Sequence, residues 1–175
     1  MATSSELHFA AAQLALRIAS AADLKAAASS AADAGTVTPN IAALITLGDD
    51  TLAEAEPIFR KALEEVGVAT PTLDEAVWLL LRKPISAIAE GSRDAEQGLK
   101  EIMTVYSAAN LHGRSTQYVG DSHGIQYLVG TYWEIHDVQA HSTEVDFQRR
   151  YGDALQKLRD VAVEHARAWL AAHAA

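Results

Sequence analysis

The sequence predicts an all-α fold, and three observations carry this prediction. Alanine, the residue with the highest helix propensity, occupies 35 of the 175 positions. Apolar residues recur at intervals of three and four along most of the chain. Proline, glycine, serine and threonine fall where helices begin and end. We therefore expect a compact bundle of seven to nine helices joined by short turns, in a single domain of residues 1–175.

A short α-solenoid is the alternative fold. Thr38-Pro39 and Thr70-Pro71 lie 32 residues apart, and each precedes a predicted pair of helices. That period is typical of helical repeats, but a stable array needs at least three of them. The bundle is therefore the preferred interpretation.

The N-terminal residues predict two helices. The first runs from about Ser5 to Ser20. Ser20 and Asp23 have the spacing of a helix cap, and they begin a second helix that reaches Ala34 and stops at Gly35. One unbroken helix of about 30 residues is the alternative.

Two further helices follow before residue 70. Thr38-Pro39 begins a short helix that Gly48 ends. The next helix begins at Asp50 or Thr51 and ends at Gly67.

Two prolines interrupt helical patterns. Pro57 either kinks its helix or marks the true beginning of that helix. Thr72 and Glu75 have capping-box spacing and begin a helix that Pro84 is expected to break. A short helix then ends at Gly91.

The C-terminal half predicts three helices and one loop. Ser92 is expected to cap a helix that reaches Ala109, and residues 110–123 form a loop. A helix from about Ser122 to Gln139 follows, with a strand as the alternative. The last helix carries an apolar stripe of Phe147, Tyr151, Ala154, Leu158, Val161, His165 and Ala168.

Residues 110–141 differ in composition from the rest of the chain. No alanine occurs between Ala109 and Ala140, whereas four of the seven histidines lie within residues 110–141. Glycine and tyrosine are also frequent there. Such a shift marks either a functional site or the combination of one long loop and one buried helix.

Aromatic side chains in this segment are the candidate binding residues. They are Tyr118, His123, Tyr127, Tyr132 and Trp133. Aromatic groups of this kind line small-molecule pockets and protein-binding surfaces, and they also close cores. In the loop around His123, Asp121 or Ser122 is expected to cap the following helix, while Gly120 and Gly124 supply turns.

Glu134, Asp137 and His141 form a candidate metal site. On a helix they fall within about 60° of one another, so the three side chains converge. Two carboxylates and an imidazole are suitable ligands for zinc or another divalent metal. The same face lies about 150° from the apolar stripe, which favours a solvated polar face instead.

His112 and the pair His136-Asp137 offer a second metal hypothesis. The pattern resembles the histidine, histidine-aspartate, aspartate arrangement of the HD phosphohydrolases, which are all-helical and metal-dependent. The resemblance implies a hydrolase with a divalent metal. The chain departs from the family downstream, where Asp146, Asp153 and Asp160 come sooner than the family's last ligand.

Charge and composition exclude several function classes. The net charge of −9 and the scattered basic residues disfavour binding to nucleic acids and to anionic membranes. The absence of cysteine excludes disulfides and thiolate chemistry.

The leading hypothesis is a cytoplasmic, bacterial-type protein that binds a protein partner or a second copy of itself, without a cofactor or catalysis. A metal-dependent hydrolase that uses His112, His136 and Asp137 is one alternative. A small-ligand carrier or sensor, with the tyrosines lining its cavity, is the other.

Overall fold

Eight α-helices account for most of the described chain. The computed structural model describes residues 2–48, 51–140 and 145–174, with side chains for 5–48, 51–140 and 153–174. The helices are α1 (Ala2–Ala15), α2 (Ala21–Asp33), α3 (Pro39–Thr46), α4 (Leu52–Glu65), α5 (Leu73–Glu90), α6 (Ala95–Ala108), α7 (Gln126–Ala140) and α8 (Val145–Ala172). Two short 3₁₀ helices, Leu111–Arg114 and Asp121–His123, lie between α6 and α7. No strand occurs in these ranges, so the all-α prediction is confirmed.

The contacts divide the chain into two compact units. The first comprises residues 1–79 and the second residues 80–175, with the boundary inside α5. The organisation of residues 1–175 as one domain stays a prediction. None of the helices in the described ranges has both the length and the apolar character needed to cross a bilayer.

The first unit is built around a core that large apolar side chains share with alanines. Helices α1 to α4 each pack on the next, and α2 also packs on α4. Alanines on α1, α2 and α4 are buried between the larger side chains, which lets the helices approach closely. The largest fully buried side chains of this core are Leu7, Leu24, Ile41, Leu44 and Phe59.

Local capping sets the beginning of α2. The side chain of Ser20 accepts a hydrogen bond from the backbone N–H of Asp23, and the Asp23 carboxylate accepts one from the backbone N–H of Ser20. The chain leaves α2 through Gly35 at φ +87°. These boundaries were predicted correctly. The predicted end of α1 at Ser20 is wrong, as is the unbroken helix, because Arg17 turns the chain at φ +59°.

Capping residues also set where α3 and α4 begin. The hydroxyl of Thr38 accepts from the backbone N–H of Ile41, and Pro39 is the first residue of α3, as predicted. Thr51 is the N-cap of α4, so the helix does not begin at Pro57. Asp50, the alternative cap, lies outside the described residues.

The predicted break at Pro84 is wrong. Helix α5 begins after the capping box of Thr72 and Glu75 and continues through Pro84 to Glu90. An interior proline costs about 3 kcal/mol. Ile85 and Ile88 are fully buried because the helix continues, and each contributes about 1.5–3 kcal/mol. Burial therefore outweighs the cost of the proline.

The start of α6 also differs from the prediction. Asp94, two residues after the predicted Ser92, caps α6 by accepting from the backbone N–H of Gln97 at 3.1 Å. The Ser92 hydroxyl instead donates to the carbonyl oxygen of Ala87 in α5.

The second unit packs α6, α7 and α8 against one another. Its fully buried side chains include Leu81, Ile85, Ile88, Leu99, Ile102, Leu111 and Ile125. Helix α8 contributes Ala162, Ala166 and Trp169 to this core.

The buried stripe of α8 lies one residue away from the predicted one. Ala168 is exposed and His165 is half-buried, whereas Trp169 is only 4% exposed. The large indole ring gains more from burial than the methyl group of Ala168, so it takes the inward position. Phe147 and Tyr151, which the prediction also placed in the stripe, lie outside the described side chains.

Candidate functional site

The Asp121 carboxylate organises the segment that precedes α7. One oxygen accepts a hydrogen bond from the backbone N–H of Thr116 at 2.9 Å. The other accepts from the Thr116 hydroxyl at 2.9 Å and from the backbone N–H groups of Gln117 and Tyr118 at 2.6 and 2.9 Å. Residues 116–118 are therefore folded around a single side chain.

These hydrogen bonds determine the protonation state of Asp121. The backbone N–H groups of Tyr118, Gln117 and Thr116 stabilise the charged form and hold the pKa of the Asp121 carboxyl well below its usual range. The carboxylate is thus charged at neutral pH and fixed to the loop. Asp121 was expected to cap the next helix. Its carboxylate instead bonds residues that precede it in the chain.

Two glycines make the turns on either side of Asp121. Gly120 has φ +84° and Gly124 has φ +69°, which confirms the prediction that they supply turns. A Cβ at Gly124 would lie 2.9 Å from Cε1 of His173. The left-handed residue at 124 stops the 3₁₀ helix, so α7 begins at Gln126 and not at Ser122 as predicted. The strand alternative for this segment is wrong.

An open groove of about 540 Å³ lies between the loop and α7. We call it the aromatic groove. Residues 118 and 119 of the loop form one wall, and α7 forms the other. The residues that line the groove are Tyr118, Val119, Gln126, Tyr127, Val129, Gly130 and Trp133.

Three aromatic side chains of the aromatic groove are exposed to solvent. Tyr118 is 62% exposed, Tyr127 64% and Trp133 50%. Soluble proteins bury most of their large aromatic surface, and a cluster of exposed rings at one groove is typical of a binding surface.

Further aromatic contacts hold α7 in place beside the groove. The Tyr127 ring packs on the His165 ring of α8 with 5.3 Å between centroids. The buried hydroxyl of Thr131 donates to the Tyr127 carbonyl oxygen at 2.9 Å, and it lies 3.1 Å from Nδ1 of His165. Within α7 itself, the Trp133 ring contacts the ring of His136 edge-on, with 6.0 Å between centroids.

A buried hydrogen-bond acceptor belongs to one of the residues that line the groove. The side-chain oxygen Oε1 of Gln126 is buried and has no hydrogen-bond partner in the part of the chain that the structure describes. A buried acceptor without a donor is costly, so a donor brought by a bound molecule would stabilise it.

Of the five predicted binding residues, the structure places three around the aromatic groove. These are Tyr118, Tyr127 and Trp133. Tyr132 is half-buried and packs edge-on against Trp133 at 5.3 Å. His123 is buried, with Nδ1 3.1 Å from the Ser122 hydroxyl.

The metal candidates are not gathered into a site among the described residues. No group of three histidine, aspartate or glutamate side chains is placed there to share an ion. His112 is exposed, and its Nδ1 lies 3.2 Å from the Tyr106 hydroxyl. Glu134, His136 and Asp137 are exposed on α7. His141 lies outside the described residues, so the set that includes it stays a prediction.

Sequence reasoning missed four lining residues, namely Val119, Gln126, Val129 and Gly130. Their position depends on the fold of the loop around Asp121, which no periodicity reveals. The sequence Thr116-Gln117-Tyr118-Val119-Gly120-Asp121 carries the one signal, because aspartate side chains in turns often accept hydrogen bonds from nearby backbone N–H groups. No family model, curated protein or solved structure matches this chain.

Proposed function

We propose that this protein acts by binding, without catalysis, and that the aromatic groove receives apolar side chains of a partner protein. The observation that carries the proposal is the exposure of Tyr118, Tyr127 and Trp133 around one groove. Tyrosine and tryptophan are the residues most enriched at the centres of protein interfaces, where they give large contact areas at low entropic cost.

The size of the groove sets the strength of such a complex. Each large apolar side chain that the partner buries fully in the groove contributes about 1.5–3 kcal/mol. Association itself costs about 4–15 kcal/mol. The aromatic groove is therefore an anchoring point for a transient complex, and a tight complex needs further contacts around it.

The polar side chain of Asp121 maintains the shape of the loop, which supports a binding role. Ser122, His123 and Asp121 are the residue types of a nucleophilic relay, and Ser122 does contact His123. The Asp121 carboxylate, however, is occupied by four donors of residues 116–118. A relay needs that carboxylate to orient the imidazole. Asp121 acts as a structural residue of the loop.

Capture from cell lysate with matched variants tests the proposal. Tyr127→Ser and Trp133→Ser remove the anchors, and Val37→Ser removes an apolar side chain that is 67% exposed but does not line the groove. We expect one protein to be retained by the native chain and by Val37→Ser, and lost from both groove variants. Retention by all four chains, or by none, would contradict the proposal.

A small-ligand carrier is the second candidate. A volume of about 540 Å³ lies within the usual range of small-molecule sites, roughly 300–1,000 Å³. A thermal-shift screen with metabolites distinguishes the two roles. A compound that stabilises the native chain but not Trp133→Ser would favour the carrier.

A further inference from the structure

The groove face of α7 continues into two carboxylates. At 100° per residue, Tyr127, Gly130, Trp133, Glu134 and Asp137 fall within an arc of about 120°. All five residues are exposed. The surface that a partner meets on α7 is therefore aromatic at one end and acidic at the other.

Gly130 stands in the middle of this face, and the fold of the chain does not require it. A glycine inside a helix costs about 0.5–1 kcal/mol relative to alanine. At Gly98 that cost has an internal reason, because a Cβ there would lie 2.5 Å from Cγ1 of the buried Ile88. At Gly130 a Cβ would lie more than 4 Å from the atoms of the described residues around it.

The open space at Gly130 suits the approach of another helix. Tyr127 and Trp133 lie three residues before and after it, so the missing side chain leaves a notch between two rings. Small residues at such positions allow two helix backbones to come close together, and flanking aromatic residues then fill the sides of the contact.

The negative charge of this face and of the whole chain indicates the chemistry of the partner. Helix α7 carries the exposed Glu134 on this face and has no lysine or arginine, and the whole chain has a net charge of −9. A second copy of this chain, docked through the same face, would bring the two Glu134 carboxylates close to one another. A basic partner would instead gain attraction, both during approach and in the complex.

We propose that the occupant of the aromatic groove is an amphipathic helix of another protein, with apolar residues and, about one turn away, lysine or arginine. The inference rests on the proposed function and deepens it. The apolar residues contact Tyr127, Gly130 and Trp133. With a rise of 1.5 Å per residue, Glu134 lies about 6 Å beyond Gly130 along α7. The basic residues of the partner therefore lie about one turn from its apolar anchor.

Two synthetic peptides test this proposal directly. Both have about 18 residues, an alanine-based helix and leucine or phenylalanine at intervals of three and four. One carries lysines one turn before and one turn after the anchor, and the other carries glutamates at the same positions. Affinity is measured at low salt for the native chain, Glu134→Gln and Glu134→Lys. The backbone amide signal of Gly130 and the indole signal of Trp133 in heteronuclear NMR spectra report where the peptide binds.

The proposal predicts a preference for the lysine peptide of about fivefold or more, reduced in Glu134→Gln and reversed in Glu134→Lys. The preference should weaken as salt increases. Equal binding of both peptides at the groove would overturn the basic-helix inference and leave the proposed function standing. Binding of neither peptide would overturn the inference, and failure of the lysate capture as well would overturn the proposed function. Self-association that Trp133→Ser abolishes would show that the occupant is a second copy, which also overturns the inference.

Discussion

The indole Nε1–H of Trp169 donates a hydrogen bond to the backbone carbonyl oxygen of His123, with 2.8 Å between the two atoms, in a buried environment. This bond joins α8 to the 3₁₀ helix that immediately precedes α7. The Trp169 ring also stacks on the ring of His173 with 4.6 Å between centroids. The loop that forms one wall of the aromatic groove is thus held from behind by the last helix.

Trp169→Phe should destabilise the second unit. The aromatic ring is retained, but the carbonyl oxygen of His123 loses this donor, which costs about 1–3 kcal/mol for a buried group. Urea unfolding followed by circular dichroism measures the change. Trp133→Phe is the matched control, because Trp133 is half exposed, and it should change stability by less than about 0.5 kcal/mol. Equal effects of the two substitutions would contradict the role of the bond.

Gly98→Ala and Gly130→Ala should have opposite signs. At Gly98 the new methyl group meets Ile88 within the core, so overpacking of about 1–3 kcal/mol exceeds the gain of about 1 kcal/mol in helix propensity. At Gly130 the described residues leave room for the methyl group, and we expect stabilisation by about 0.5–1 kcal/mol. Thermal unfolding of both variants beside the native chain decides this. Stabilisation by Gly98→Ala would show that Ile88 moves away easily.

Asp121→Asn should remove a pH-dependent contribution to stability. The lowered pKa of Asp121 in the folded chain means that its contribution is complete above its unfolded pKa of about 3.9 and is lost as the pH falls through the lower, folded value. The native chain should therefore be more stable than Asp121→Asn at neutral pH. The difference should disappear progressively below about pH 4.

Unfolding curves for both chains, recorded between about pH 8 and pH 3, test this expectation. The carboxyl groups of Glu54, Glu65, Glu75 and Glu96, whose pKa values hydrogen bonds also lower, are present in both chains and cancel in the difference. A difference that is constant over this range would mean that the charge of Asp121 has no part in holding the loop.

Thr131→Val should loosen the contact between α7 and α8. Valine has nearly the same shape, but the hydroxyl that lies 3.1 Å from Nδ1 of His165 is lost from a buried position. We expect a loss of about 0.5–1.5 kcal/mol in the free energy of unfolding. Thr104→Val is the control, because the Thr104 hydroxyl also donates to a helix carbonyl but is exposed. If Thr104→Val lost as much free energy of unfolding, the effect would come from the lower helix propensity of valine and not from the contact with His165.

Local signals in the sequence predict helix ends well. The pairs Ser20-Asp23 and Thr72-Glu75, and the dipeptide Thr38-Pro39, act over three residues or fewer, so the chain needs no tertiary contact to specify them. The continuation of α5 through Pro84 could not be predicted from such local signals, because it depends on the burial of Ile85 and Ile88.

The candidate site was predictable only on one side. Tyr127 and Trp133 share an exposed face of α7 that helical spacing reveals. The opposite wall, which includes Tyr118, depends on the hydrogen bonds that the Asp121 carboxylate accepts from the backbone N–H groups of residues 116–118. The turn residues were evident in the sequence, but the partner of each backbone N–H was not.

Gly130→Gln tests the central claim most directly, because it fills the notch on α7 with a neutral, helix-forming side chain whose Cβ lies more than 4 Å from the atoms of the surrounding described residues. Affinity for the lysine peptide is measured for this variant and for Ala108→Gln, an exposed position of α6 that does not line the groove. We predict that Gly130→Gln weakens binding by about tenfold or more, a change of about 1.4 kcal/mol, while its unfolding temperature is equal to or above that of the native chain. Ala108→Gln should bind as the native chain does. Undiminished binding by Gly130→Gln would contradict the assignment of the aromatic groove as the binding site.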